Sequence, residues 1–314
     1  MTDTQHDIYN SELQAMPIWC SIAEDKLAQW QAGKAEGFST GFPTLDKYFR
    51  LVDGEMVTIA GRPSMGKTIL GMQIMELIAR GLKNTGDPGC VAIYSAEMTG
   101  WSLVHRMAGA LAGVEVHKLR MGQGMPKDFA KLSAAVQGLR TLPIQIDDGS
   151  APTTQRMLDQ MMILNENIPV RAMLFDFLEL GGDRASSEEQ RISSIAVALK
   201  DIAKAIGIPV IALSQINRSV ENRANKMPTL ADLRYSGQIE QISDVVCFIM
   251  RPEYYVERGM AVDLANAQDG KGIAYISIAK NRHGPPANVR MHFNAKLGIF
   301  GELERVHLNE EGVA

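Results

Sequence analysis

With 314 residues, 46% of them hydrophobic and 22% charged, the chain has the composition of a large α/β domain with an appendage, which excludes a disordered or fibrous class. Its net charge of −4 supplies no global attraction to nucleic acid, so any nucleic-acid surface must be local. The three cysteines (Cys20, Cys90 and Cys247) are odd in number, far apart and free of any CxxC pair, which argues against a disulfide frame or zinc site and for buried thiols in a reducing cytoplasm.

The N-terminus, MTDTQHDIYN, lacks a basic-then-apolar signal pattern, and no apolar run approaches the ~18 residues of a membrane span. Residues 1–37 read as an appendage and 38–314 as the main domain. Within the appendage, IWCSIAEDKLAQW sets Trp19, Ile22, Ala23, Lys26/Leu27 and Trp30 on one helical stripe. A helix this short does not bury such a stripe by itself, so it docks either on its own domain or on a neighbouring subunit. The polar, Gly-containing QAGKAEG reads as a linker.

From Phe38 onward strands alternate with helices. MVTIAG reads as a strand and TILGMQIMELIARG as a helix with Leu70, Ile74, Leu77 and Ile78 inward. CVAIYSAE is a strand, followed by helices in GWSLVHRMAGALAG, DFAKLSAAVQGL and TQRMLDQMMILNEN. VRAMLFDFLEL reads as a buried strand. EEQRISSIAVALKDIAKAIG is an amphipathic helix with Ile192, Ile195, Ala196, Leu199, Ile202, Ala203 and Ile206 on one face. IPVIALSQ, DVVCFIM and IAYISIAK are strands with little alternation, and NVRMHFN reads as the final edge strand. Apolar strands without alternation require a sheet covered on both faces, here by helices. The late strands are joined by loops, so the far edge is expected to be antiparallel.

GRPSMGKT, residues 61–68, fits G-x-x-x-x-G-K-[ST] between a strand and a helix. The backbone of Gly61, Ser64, Met65, Gly66, Lys67, Thr68 and Ile69 is expected to curl around nucleotide phosphates at the positive end of the helix. Lys67 reaches the β- and γ-phosphates and the Thr68 hydroxyl ligates Mg²⁺, which predicts a nucleotide and Mg²⁺ as cofactors without fixing the base. Asp176, at the tip of a strand expected to lie beside the P-loop strand, holds the Mg²⁺ shell. Hydrolysis also needs a carboxylate to orient and deprotonate water, and Glu97 and Glu179 both qualify. Odd spacing on a strand sends Asp176 and Glu179 to opposite faces, which favours Glu97 at the end of CVAIYSAE. Gln215, ending IPVIALSQ, is placed to sense the γ-phosphate. Lys280 and Arg282 precede a Gly-Pro turn and point to one side; spacing alone leaves them either a solvated basic turn or a finger pair.

Five segments in order, GRPSMGKT, YSAEMTGWSLVHRM, MLFDFLEL, IALSQINRSVENRANKMPTLADLRYSGQIEQISDVVCFIMR and ISIAKNRHGPPANVRMHF, resemble the C-terminal RecA-like motor domain of DnaB-type replicative DNA helicases. The resemblance covers residues 38–300. It implies a RecA-like P-loop NTPase fold with a mostly parallel, twisted sheet. It also implies a homo-hexameric ring translocating 5′ to 3′ on single-stranded DNA, with ATP hydrolysed between subunits. Lys67 and Thr68 then match the P-loop pair, Glu97 the catalytic base in SAEM, Asp176 the Walker B acid and Gln215 the γ-phosphate-linked glutamine. Lys280 and Arg282 match the lysine and arginine finger that enter the neighbour's ATP site.

DNA contacts are expected from the 216–234 loop through Arg218, Arg223, Lys226 and Arg234. Against Glu221 and Asp232 these four give a local net charge of +2. DLRYSG continues that surface with Arg234, Tyr235 and Gly237, Tyr235 standing where the family commonly has Glu and suiting base stacking. Arg184, in GGDRASSEEQR, is a second channel residue. A helicase loader and primase are the further partners implied. The family's helical collar is expected to be lacking, which weakens the case for primase recruitment, while the Trp19–Trp30 helix resembles the linker helix that packs on an adjacent motor domain. Two other classes compete: a RecA/RadA-like or clock-type ATPase that does not unwind DNA, and a non-catalytic adaptor. DLRYSG and AKNRHGP argue against the first, and the complete catalytic set against the second.

Overall fold

The computed structural model describes residues 14–233, 236–260 and 271–303. Among the described residues nine strands form one sheet in the order β3-β2-β4-β5-β1-β6-β7-β8-β9. They are β1 (Met56–Gly61), β2 (Cys90–Ser95), β3 (Ile144–Asp147), β4 (Val170–Asp176), β5 (Val210–Gln215), β6 (Val245–Met250), β7 (Ile273–Asn281), β8 (Ala287–Asn294) and β9 (Ile299–Gly301). Pairs from β3 through β6 are parallel, and those from β6 to β9 are antiparallel.

The helices are α1 (Met16–Gln31), α2 (Pro43–Asp46), α3 (Lys67–Thr85), α4 (Gly100–Ala112), α5 (Val116–Arg120), α6 (Pro126–Leu139), α7 (Thr154–Asn167), α8 (Glu188–Ile206), α9 (Ser236–Ile242) and α10 (Pro252–Val256). Local signals account for several ends. The Ser187 hydroxyl accepts a hydrogen bond from the Gln190 amide at 3.2 Å, Glu188 and Glu189 fill the first turn of α8, and left-handed Gly207 stops it. Thr153 caps α7 in the same way.

Alternate residues of each central strand enter opposite cores. Ala172 and Leu174 of β4 pack on the side of α3, whereas Met173 and Phe175 pack on the side of α7 and α8. Ile211 and Leu213 of β5 face the first core, and Val210 and Ala212 the second. Both faces being apolar is why these strands show no polar alternation. All seven residues assigned to the inner face of α8 are buried.

Several expectations need correction. β5 lies between β4 and β1, so Asp176 is not on the neighbour of the P-loop strand. β4 stops at Asp176, and the chain then makes a 3-10 turn, Leu178–Leu180, where strand alternation no longer applies. β2 stops at Ser95, leaving Glu97 in the following loop. β8 is not the edge, because β9 pairs beyond it, and short β3 forms the opposite edge. Cys90 and Cys247 are buried, but Cys20 is exposed on α1.

The stripe on α1 is also exposed. Trp19 is 47% and Trp30 50% accessible, and no residue of α1 is buried. Lys26 pairs with Glu36, beyond the end of the helix. Among the described residues no helix is long and apolar enough to cross a membrane.

Candidate nucleotide site and its flanking surfaces

Parallel register brings four strand ends to one margin of the sheet. Gly61 lies opposite Gln215, and Ser95 opposite Asp176. Ligands in open α/β sheets bind beyond such carboxyl ends. A cavity of about 660 Å³ opens there, lined by Ser64, Gly66, Lys67, Thr68, Ile69, Glu97, Asp176 and Gln215. Eight residues separated by up to 151 positions in sequence thus meet on one surface.

Gly66 starts α3 at φ +102°, a conformation that disfavours a side chain, and an added Cβ would lie 3.0 Å from the Phe300 ring and 3.2 Å from Phe293. Beyond it Lys67, Thr68 and Ile69, the first residues of α3, line the cavity, and the amides of a helix's first turn have no partner within the helix. Gly61 and Met65 do not line the cavity. Met65 is fully buried in the core, and the Gly61 carbonyl instead accepts from the Lys67 ammonium at 2.9 Å. Arg251 donates to the Ser64 carbonyl at 2.9 Å and stacks over Phe293 at 4.1 Å, bracing the loop from β6. Burial lowers the Lys67 pKa, and the surrounding carboxylates of Glu179, Asp176 and Glu97 act against that shift.

Asp176 is 2% exposed, and neither carboxylate oxygen has a hydrogen-bond partner. Burial pushes its pKa up to about 6; Thr68 is near enough to pull it down, without satisfying either oxygen. Two orphaned acceptors beside a threonine hydroxyl at a phosphate loop fit a hard divalent cation such as Mg²⁺, which Asp176 and Thr68 would hold.

Glu97 is exposed and lines the cavity, whereas Glu179 is buried and does not. The Glu179 carboxylate accepts from the Ser214 hydroxyl at 3.0 Å and the Gln215 amide at 2.8 Å. It fixes the end of β5 instead of facing the opening. Of the two carboxylates only Glu97 lines the cavity, and strand alternation does not bear on the choice because Glu179 lies in the 3-10 turn.

Lys280 and Arg282 sit elsewhere. β7 runs antiparallel to β6, with Lys280 opposite Val246 and Asn281 opposite Val245 at the amino end of β6. The P-loop follows the carboxyl end of parallel β1, and a six-residue strand separates those margins by roughly 17 Å. Both side chains point to the same place: Lys280 donates to the Glu240 carbonyl at 2.5 Å and Arg282 to the Gln241 carbonyl at 2.7 Å.

The basic loop after β5 is less free than its sequence implies. Lys226 is 5% exposed and donates to the carbonyls of Glu221 and Arg223, so its charge is spent inside the loop. Arg223 pairs with Asp232 at 2.6 Å. Arg218 and Arg184 are exposed and pair with no acid among the described residues, and Gly237 is exposed with open space around it. Arg234 and Tyr235 lie outside the described residues. Arg62 of the P-loop bonds Glu221 at 2.7 Å and the Ile216 carbonyl at 3.2 Å, joining the phosphate loop to this basic loop.

Sequence reasoning missed the far wall of the cavity. Ser102, His105 and Arg106 of α4, His117 and Arg120 of α5, and Lys296 between β8 and β9 all line it. Ser102, His105 and Arg106 lie within YSAEMTGWSLVHRM, but their spacing gives them no role, and His117, Arg120 and Lys296 lie outside the five segments; folding brings all of them to the cavity.

The family model described as DnaB-like helicase C terminal domain matches residues 37–302. The chain belongs to this family. The replicative DNA helicase DnaB of Geobacillus stearothermophilus is 34% identical to it over 280 residues, 87% of this chain and 58% of that protein. The chain thus spans somewhat over half the length of the DnaB relatives it matches. Among solved structures, one described as an ATPase domain aligns with a TM-score of 0.81 at 28% identity, covering 93% of this chain and 100% of that one. A DnaB-like replicative helicase, described together with its interactions with primase, aligns at 0.78 and 27% identity, covering 94% of this chain and 68% of that one. The mostly parallel, helix-covered sheet read from the strand pattern is thus shared with these helicase ATPase domains, as the family resemblance implied.

Proposed function

We propose that this DnaB-like domain is the ATP-driven motor of a replicative DNA helicase, working as a homo-hexameric ring that moves 5′ to 3′ on single-stranded DNA. The observation that carries the reading is the separation of two half-sites. Lys67, Thr68, Asp176, Glu97 and Gln215 share one cavity, while the cationic pair Lys280 and Arg282 stands at the opposite margin of the sheet. A pair so placed serves a neighbour's cavity, not its own, and a ring supplies that neighbour at every interface.

In this reading the P-loop amides and Lys67 bind the phosphates. Thr68 and Asp176 hold Mg²⁺, which when bound neutralises phosphate charge. Glu97 orients and deprotonates the attacking water, and Gln215 senses the γ-phosphate. Lys280 and Arg282 of the adjacent subunit stabilise charge developing on the transferred phosphoryl group. Arg218, Arg184 and Gly237 face DNA together with Arg234 and Tyr235, and the exposed stripe of α1 packs on the adjacent subunit. A loader and a primase are the additional partners this reading expects.

The test is Arg282→Ala. Loss of an arginine finger lowers turnover by ~10³-fold or more. The variant should hydrolyse ATP at background rate yet bind a fluorescent ATP analogue as the parent does. Parental ATPase activity in the variant removes the shared site.

A further inference from the structure

The two cations at the sheet margin are not loose surface groups. Arg282 is bound at three points: its amide donates to the Asp244 carbonyl at 2.9 Å, its guanidinium to Asp244 Oδ1 at 3.0 Å and to the Gln241 carbonyl at 2.7 Å. Lys280 donates to the Glu240 carbonyl at 2.5 Å and the Gln241 carbonyl at 3.3 Å. Glu240 and Gln241 belong to the last turn of α9, where carbonyls without a partner inside the helix carry the negative end of the helix dipole. Two like charges side by side need such compensation.

Asp244 divides its carboxylate between two tasks. Oδ2 accepts from the Met56 amide at 2.7 Å and the Lys200 ammonium at 2.6 Å, anchoring the start of β1 and α8. Oδ1 accepts from Arg282, the acid being 4% and Arg282 45% exposed in their side chains. One oxygen is thus fixed in the scaffold while the other holds a half-solvated guanidinium. This arrangement orients a long side chain without enclosing it. α9 itself begins at Ser236, within the DLRYSG segment expected to meet DNA, so a shift of α9 moves the carbonyls that hold both cations.

We propose that Asp244 and the last turn of α9 form a cradle that holds Lys280 and Arg282 in register for insertion into the adjacent subunit's phosphate site, which makes Asp244 a positioning residue for hydrolysis in trans. The inference rests on the shared-site reading above. It predicts that Asp244 is needed by the neighbour's active site and not by its own.

Asp244→Asn keeps one oxygen for Met56 and Lys200 and turns an NH₂ toward Arg282, where donor meets donor. Misplacement of a catalytic group by about 1 Å costs up to ~100-fold in rate, so turnover should fall by ~10- to 100-fold while the nucleotide Kd of the same chain stays within about twofold. The decisive assay mixes this variant with Lys67→Ala subunits, which have a dead phosphate site but intact fingers. Random mixing in a heterologous ring restores a complete site at about a quarter of the interfaces, so the mixture should exceed the sum of the two separate activities.

Arg282→Ala mixed with Lys67→Ala is the control. Rescue in both mixtures establishes the cradle. Rescue with Arg282→Ala but not with Asp244→Asn overturns it, as does parental turnover in Asp244→Asn alone. Rescue in neither mixture overturns the shared site, and the cradle with it. Should the Asn variant fail to bind nucleotide, Asp244→Glu, which keeps the charge but displaces it by one methylene, is read in the same mixtures.

Discussion

Replacing Gly66 by alanine probes the phosphate loop at its tightest point. The residue sits at φ +102°, and the new methyl would lie 3.0 Å from Phe300 and 3.2 Å from Phe293. Neither ring yields easily. They are 2% and 3% exposed, packed on each other at 4.7 Å, and Phe293 also carries Arg251, which holds the Ser64 carbonyl. The left-handed backbone costs about 1–2 kcal/mol and overpacking about 1–3 kcal/mol. The loop can relieve both by giving up its phosphate-binding shape. Nucleotide affinity should then fall by at least ~30-fold, or the urea midpoint should drop by the equivalent of about 2 kcal/mol. Titration with a fluorescent ATP analogue beside urea unfolding separates the two routes. An alanine variant with parental affinity and parental midpoint would refute the account of this loop.

Further variants address separate parts of the account. Glu97→Gln should reduce turnover by ~10²- to 10⁴-fold in a coupled ATPase assay while leaving nucleotide affinity in place, as expected for a lost general base. Arg218→Ala should weaken single-stranded DNA binding and reduce the slope of log K against log salt by ~0.7 in fluorescence anisotropy, the value for one phosphate contact. Lys226→Met should leave that slope unchanged and lower thermal stability, because its ammonium holds the loop together from inside. Asp53 supplies a pH test away from the site. Burial pushes its carboxyl up to about 6, with Lys26 and Arg171 only partly offsetting the effect. The folded state therefore holds that proton more tightly than the unfolded state, and stability falls as pH rises from about 4 through 6. Asp53→Asn should flatten this dependence and stabilise the protein at pH 7.5 by on the order of 1 kcal/mol in urea melts.

The phosphate loop, the amphipathic α8 and the two-faced strands are visible in the sequence because each rests on local spacing. Gly66, Lys67 and Thr68 need only their neighbours to define a turn and a helix start, and β4 and β5 need only unbroken apolar runs. Elements decided by distant contacts stay hidden. β3 is four residues long and exists because β2 offers it an edge. Phe177 and Leu178 continue the apolar run of β4, yet the chain turns at Asp176 so that Glu179 can reach Ser214 and Gln215. Charge counting treats Lys226 and Arg218 alike, while packing buries the first and exposes the second. The cavity's far wall, with Arg106 and Lys296, likewise depends on tertiary placement that no spacing encodes.

The most direct measurement of the central claim is strand displacement on forked DNA with ATP and Mg²⁺, comparing a free 5′ tail with a free 3′ tail. The account predicts displacement from the 5′-tailed fork by the parent protein, none from the 3′-tailed fork, and none by Arg282→Ala on either. Displacement by Arg282→Ala at the parental rate, or DNA-stimulated ATP hydrolysis by the parent with no displacement from either fork, would contradict a ring motor whose active sites are shared between subunits.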